Sequence, residues 1–345
     1  MMTFPERIET VEALDEVMTR PQPALIEFIQ TLSSPLLILG AGGKMGPTLA
    51  RLARRAADAA GHDFGVIAVS RFSDEQTRKG LETHGVQTIS CDLFDRAALK
   101  ALPDAANVIY LVGLKFGTSN NPALTWAANT LIPANVAERY PQARIAALST
   151  GNVYPMAPVK GTGWTEAAAL TPLGEYANSA VARERIFEYE SARNGTPITL
   201  VRLSYALDLR YGVLVDIAQK VFAGRPVDLT SGYLNCIWQG DANDLVIRSL
   251  ALASSPLTAL NLTGSEVVSV RETAVRFGEL MGRSVVFTGE EAASALLSDT
   301  TLLQTRLGRP TMPLHTVIRW TADWILHGGA VLNKPTHFEV RDGAF

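Results

Sequence analysis

A chain of 345 residues, 47% hydrophobic and 19% charged, has the composition of a globular protein of one or two domains, not of a disordered one. Its net charge of −3 gives no electrostatic reason to bind nucleic acid or an acidic membrane surface, and no basic patch with interleaved aromatics occurs. Cys91 and Cys236 make neither a disulfide framework nor a C-x-x-C pair, and the histidines lack H-x-x-x-H spacing, so no metal is expected.

The first segment carries Glu6, Glu9, Glu12, Asp15 and Glu16 where a secretory leader needs an apolar run, so the expected address is the cytoplasm. Residues 5–32 read as one or two short helices broken near Pro21 and Pro23. The apolar run Pro35–Leu39 then stops at a glycine cluster, and a helical stretch follows over Pro47–Ala60. Gly65–Ser70, a helix through Gln76–Thr83, and Val86–Ser90 repeat the alternation. Val108–Val112, Ile145–Leu148 and Ile198–Leu203 read as further buried strands. Short apolar runs alternating with helices predict an α/β fold: a Rossmann doubly wound parallel sheet with helices on both faces. Beyond residue 205 the elements shorten, including Val213–Phe222, Ala242–Ala253 and Val270–Met281, which reads as a smaller, interleaved C-terminal α/β lobe. The expected organisation is an N-terminal helical extension over 1–33, a dinucleotide-binding domain over 34–204, and a mainly substrate-binding lobe over 205–345.

The segment from Leu37 to Gly46 reads strand, turn, helix start, with Gly40, Gly43 and Gly46 spaced G-x-x-G-x-x-G and Lys44 and Met45 between the last two. Glycines let backbone N–H groups approach a pyrophosphate, and the following helix aims its positive end at that charge. At the end of the second strand, where an acidic residue would hold the ribose 2′-OH of NAD, stand Ser70 and Arg71. A hydroxyl beside a guanidinium suits the 2′-phosphate of NADP, so NADP is preferred and NAD is the alternative.

From Pro35 to about Leu326 the chain resembles the extended short-chain dehydrogenase/reductase family, the NAD(P)-dependent epimerase/dehydratase group that includes UDP-galactose 4-epimerase. Asp92 and Leu93 are similar to the family's adenine-side acidic motif. Tyr110 to Lys115, with Val112 and Gly113, looks like the fourth-strand exit beside the cofactor pyrophosphate. Asn129 sits where the family keeps an asparagine near the nicotinamide ribose. Leu148 to Tyr154 resembles the fifth-strand serine/threonine signature, with Thr150 in the position of the catalytic hydroxyl. Asp241 to Asp244, Asn261 to Gly264, Val270 to Glu272 and Leu307 to Pro310 follow in the family's order.

Two departures stand out. In the family a tyrosine exchanges a proton with the substrate oxygen, while a lysine four residues on lowers its pKa and grips the ribose. Here Tyr176 aligns with the tyrosine, but the lysine position holds Ala180, and no lysine anywhere follows a tyrosine by four. Arg183 and Lys115 are the two conceivable substitutes. The second departure is Leu234, which stands where members acting on nucleotide-diphosphate sugars carry an arginine. Lys160, Arg202 or Arg210 could meet a different anion, and Trp164 or Trp238 could wall a substrate.

The resemblance implies an oxidoreductase or isomerase using NADP or NAD on a small sugar, sugar acid or hydroxy compound. Thr150 and Tyr176 are its candidate catalytic residues, in an active site that lacks the usual lysine. Ala180 keeps a second reading open: a catalytically degenerate NAD(P)-binding sensor or regulatory protein. The expected partner is a small-molecule substrate, with no nucleic acid and no membrane, and a homodimer is possible through Pro122–Arg139 and Tyr176–Ala192.

Overall fold

A computed structural model describes residues 4–115, 120–334 and 336–343. Two helices, α1 (Val11–Met18) and α2 (Pro23–Ile29), precede the first strand, separated at Pro21 and Pro23 as their rigid φ requires. The first half then alternates: β1 (Leu36–Leu39), α3 (Gly46–Ala59), β2 (Val66–Ser70), α4 (Glu75–Thr83) and β3 (Gln87–Ser90). It continues as α5 (Arg96–Lys100), β4 (Asn107–Tyr110), α6 (Pro122–Arg139), β5 (Arg144–Thr150), α7 (Gly174–Asn194) and β6 (Ile198–Leu203). Side chains start several of these helices: Asp74 accepts from Gln76 and Thr77 N–H, Asp95 from Ala97 and Ala98, and Asn121 from Leu124. Gly195, at φ 73°, closes α7 in the left-handed region.

The chain next forms α8 (Val213–Phe222), α9 (Gln239–Arg248), the strand β7 (Thr258–Leu262), α10 (Val270–Met281), α11 (Thr301–Leu307) and α12 (Leu314–Leu326). All seven strands join one parallel sheet in the order β7-β6-β5-β4-β1-β2-β3. β7 comes from the part beyond residue 205, so the two lobes interleave through the sheet itself.

Alternate side chains of each strand point to opposite faces, and both faces are buried except at the edge strand β3, whose residues are exposed or half-buried. Leu37, Leu39, Val108, Tyr110 and Ile145 pack on Ile132, Val136 and Phe187 of α6 and α7. Leu36, Ile38, Ala68, Ile109 and Leu260 pack on α2, α3 and α9 through residues such as Leu25, Leu49 and Leu245. At about 1.5–3 kcal/mol per buried large aliphatic side chain, these two layers fix the sheet. A third core, built on α8, α10 and α12 around Phe277 and Trp320, takes in Leu14 and Met18 of α1. The two N-terminal helices are thereby divided between cores. Among the described residues no helix is long and apolar enough to cross a membrane.

Candidate active site

The sheet order reverses between β1 and β4, the place where a crevice opens at the carboxyl edge of a doubly wound sheet. A cavity of about 410 Å³ lies there. Gly40, Gly43, Lys44, Met45 and Gly46 bound it on the β1 side and Gly113 and Lys115 on the β4 side. Thr150 and Tyr176 close its far end.

The glycine turn is built to stay narrow. Gly40 sits at φ 85°, and a Cβ on Gly46 would lie 2.2 Å from the Ala41 carbonyl oxygen. A Cβ on Gly43 would meet nothing but the Gly40 oxygen, at 3.4 Å, and the Gly43 N–H donates to that same oxygen at 3.1 Å, closing the turn. Helix α3 starts at once from this turn with Pro47 in its first positions. A glycine turn that runs straight into a helix start, with Lys44 in it, fits a dinucleotide pyrophosphate. Serving as the floor beneath the turn, Ser70 has its Oγ 2.6 Å from where a Gly42 Cβ would begin, and Arg71 beyond it is exposed.

Of the remaining residues singled out from sequence, several do not line the cavity. Val112 packs on Gly40, its Cγ2 only 2.9 Å from where a Cβ would stand. Asp92 accepts from Phe94 N–H at the end of β3, with Leu93 buried beside it. Asn129, completely buried in α6, accepts from Leu114 N–H at 3.2 Å and donates to the Leu114 oxygen at 3.3 Å. Arg183, one of the two substitutes considered for the lysine, is buried too. Its Nη1 donates to the Val112 oxygen at 3.2 Å.

At the far end Thr150 Oγ1 accepts from Asn152 N–H at 3.2 Å and donates to Asn152 Oδ1 at 3.2 Å. Tyr176 is buried two residues into α7. Lys115 Nζ stands 5.9 Å from the centre of the Tyr176 ring. Burial pushes the Lys115 ammonium down to about 8. Lys44 lies over the Tyr211 ring, 3.2 Å from its centre, and is also pushed down to about 8, by burial first and then by Lys334 and Lys115.

The cavity also contains residues that the sequence did not single out. Tyr205 lines it at φ 41°, a strained conformation for a tyrosine, and burial pushes its phenol up to about 12. Tyr211 and Thr336 line it from the second lobe and the C-terminal segment. Only the positive φ of Tyr205 carries a recognisable signal, and it is a property of the backbone.

The other charged candidates are committed elsewhere. Arg202 and Glu184 form a buried ion pair, Nη2 to Oε2 2.7 Å, which Ser149 Oγ joins at 2.5 Å and the Tyr154 hydroxyl meets through Arg202 Nη1 at 2.7 Å. Arg210 is tied to Asp208 and Asp15. Neither lines this cavity, and Lys160 is exposed outside it. Trp238 packs edge-on against Trp320, and the Trp164 indole donates to the Pro155 oxygen at 2.9 Å. Asp241 accepts from the N–H groups of Thr311 and Met312 at 2.9 and 2.8 Å, so that motif ties α9 to the segment before α12.

Residues 36–207 match the NAD dependent epimerase/dehydratase family. No curated protein matches the chain. Among solved structures, it is similar to the UDP-glucuronic acid 4-epimerase from Bacillus cereus in complex with UDP-glucuronic acid and NAD. That match has a TM-score of 0.69 and 16% identity over 84% of this chain and 98% of that one. The Thermus thermophilus UDP-glucose 4-epimerase complex with NAD matches with a TM-score of 0.67 and 20% identity, over 86% of this chain and 100% of that one. The Campylobacter jejuni UDP-Glc/GlcNAc 4-epimerase matches with a TM-score of 0.68 and 19% identity, over 86% and 99%. At these identities the likeness shows a shared fold.

Proposed function

For a chain whose residues 36–207 belong to the NAD dependent epimerase/dehydratase family, we propose a nicotinamide-dependent oxidoreductase or isomerase acting on a small sugar, sugar acid or hydroxy compound. The observation that carries this reading is the meeting of the glycine turn, Thr150, Tyr176 and Lys115 in one cavity. Gly40, Gly43 and Gly46 would hold the pyrophosphate, with Lys44 and Met45 beside it. Asp92 and Leu93 would flank the adenine, and Val112, Gly113 and Asn129 would support the nicotinamide half. A bound nicotinamide supplies hydride transfer. Thr150 orients the reacting oxygen, and Tyr176 exchanges a proton with it.

Ser70 and exposed Arg71 support NADP over NAD, since no carboxylate stands there to repel a 2′-phosphate. Substrate size is supported by Leu234, buried where a diphosphate-binding arginine would be needed, and by the C-terminal segment. Residues 336–343 cross the second lobe: the Glu339 oxygen accepts from Ser231 Oγ at 3.2 Å, and Arg341 Nη1 donates to the Ser294 oxygen at 2.9 Å. The proposed location is the cytoplasm, and the proposed assembly a homodimer through α6 and α7.

Titrating the nucleotide-stripped protein with NADPH and with NADH, followed by nicotinamide fluorescence, tests the reading. Micromolar binding with NADPH tighter is the expected result, tighter NADH reverses the cofactor assignment, and binding of neither overturns the function. Ala180, fully buried against Val153 and Tyr154, favours a second reading as a binding protein without hydride chemistry. One reproducible reaction that changes the nicotinamide absorbance in a panel of sugar acids and polyols removes that second reading.

A further inference from the structure

The two segments that carry Lys115 and Tyr176 are joined by a continuous chain of buried hydrogen bonds. Asn129 grips the backbone of Leu114 from both sides, and its Nδ2 also donates to Ser179 Oγ at 2.8 Å. Ser179 Oγ in turn donates to the Tyr176 carbonyl oxygen at 2.9 Å. Arg183, one turn further along α7, donates to the Val112 oxygen at 3.2 Å and to Asn129 Oδ1 at 3.4 Å. The connection after β4 is thus clamped to the first three turns of α7 by three buried side chains. Its last described residue is the one that projects an ammonium beside the Tyr176 ring. Arg183 is consumed in the clamp, and Ala180 packs on Val153 and Tyr154.

We propose that Lys115 is the cation that works with Tyr176. It is delivered from the connection after β4, where it would hold the hydroxyls of the nicotinamide-side ribose, and Asn129, Ser179 and Arg183 act as its positioning residues. The proposal rests on the dinucleotide reading of the cavity. A positive charge held in a partly dry site favours negative charge on the oxygen that Tyr176 handles. The glycine turn has its own lysine, Lys44, which stands over Tyr211 rather than Tyr176. The two lysines therefore divide the cavity, one toward the pyrophosphate and one toward the reacting end.

The test compares NADH with ADP, which carries the adenine half and a pyrophosphate but no nicotinamide ribose. Both are titrated against the full-length, nucleotide-stripped wild type and its Lys115→Met, Lys115→Arg and Ser179→Ala variants. Lys115→Met is expected to weaken NADH by about tenfold while ADP stays within roughly twofold, and Lys115→Arg to retain most of the NADH affinity. Equal weakening of both nucleotides makes Lys115 a pyrophosphate ligand and overturns the proposal, as does no change in either. Ser179→Ala is expected to lose NADH selectively as well, and equal loss of both nucleotides there removes the positioning role. If the wild type binds neither NADH, NADPH nor ADP, the dinucleotide reading falls and takes this one with it. The equal-loss and no-change patterns overturn the assignment of Lys115 alone.

Discussion

Burial lowers the Lys115 ammonium from 10.5 to about 8, which ties the stability of the nucleotide-free protein to pH. Between those two values the unfolded chain holds a proton that the folded chain has released, so stability rises with pH across that window. Below pH 8 the folded state carries the whole desolvation penalty. Lys115→Met is therefore expected to raise the melting temperature of the nucleotide-free protein at neutral pH, with the gain fading as pH climbs from about 8 toward 10.5. Melting curves taken across that range check it, and a gain that does not change with pH would contradict the burial argument.

At the scale of elements, the β1–α3 turn is the most constrained piece of the site. A methyl group on Gly46 would collide with the Ala41 backbone, which no rotamer change relieves. Gly46→Ala is expected to weaken NADH and NADPH by at least about tenfold, roughly 1.4 kcal/mol, while the far-ultraviolet circular dichroism keeps its α/β shape. Unaltered nucleotide binding in that variant would remove the turn from the site. The inner strands of the first half are legible because each is a short, largely apolar run between helices, while the edge strand β3, Gln87–Ser90, has Ile89 as its one large apolar residue. β7 is not, because Asn261 interrupts its apolar pattern. The structure shows why a buried asparagine is tolerated there: its Nδ2 donates to the Trp164 and Asp299 oxygens at 2.9 Å each, and its Oδ1 accepts from the Tyr154 hydroxyl at 2.8 Å. Two stretches read separately from sequence, at Tyr154 and at Asn261, are thus partners in one buried network with Arg202 and Glu184.

Across the whole molecule, α6 and α7 pack against each other and on the sheet while leaving large apolar side chains outside. Leu131 is 55% exposed and Tyr189 62%. Surfaces of this kind on adjacent helices suit a two-fold interface, in which each patch meets its own copy. Leu131→Glu is expected to convert the proposed homodimer to a monomer in sedimentation velocity, with nucleotide affinity retained. A wild type that sediments as a monomer at all concentrations would refute the dimer.

Several features of this protein follow from its residues in order: the parallel α/β sheet, the glycine turn, the hydroxyl and tyrosine positions, and the alanine where a lysine was looked for. The sheet and the glycine turn are written in local periodicity and spacing, so nearest neighbours along the chain suffice to read them, whereas Thr150, Tyr176 and Ala180 take their meaning from the family resemblance. What tertiary structure decided is the fate of the charges. Arg183, Arg202 and Arg210 look alike as letters, yet packing ties one to the Val112 oxygen and pairs the others with Glu184, Asp208 and Asp15. Lys115, equally plain in sequence, ends beside Tyr176 because Asn129 and Ser179, from two different helices, hold the chain that carries it. Whether a cation is solvated, neutralised or left facing a cavity depends on what distant segments bring to it, and spacing along the chain carries no record of that.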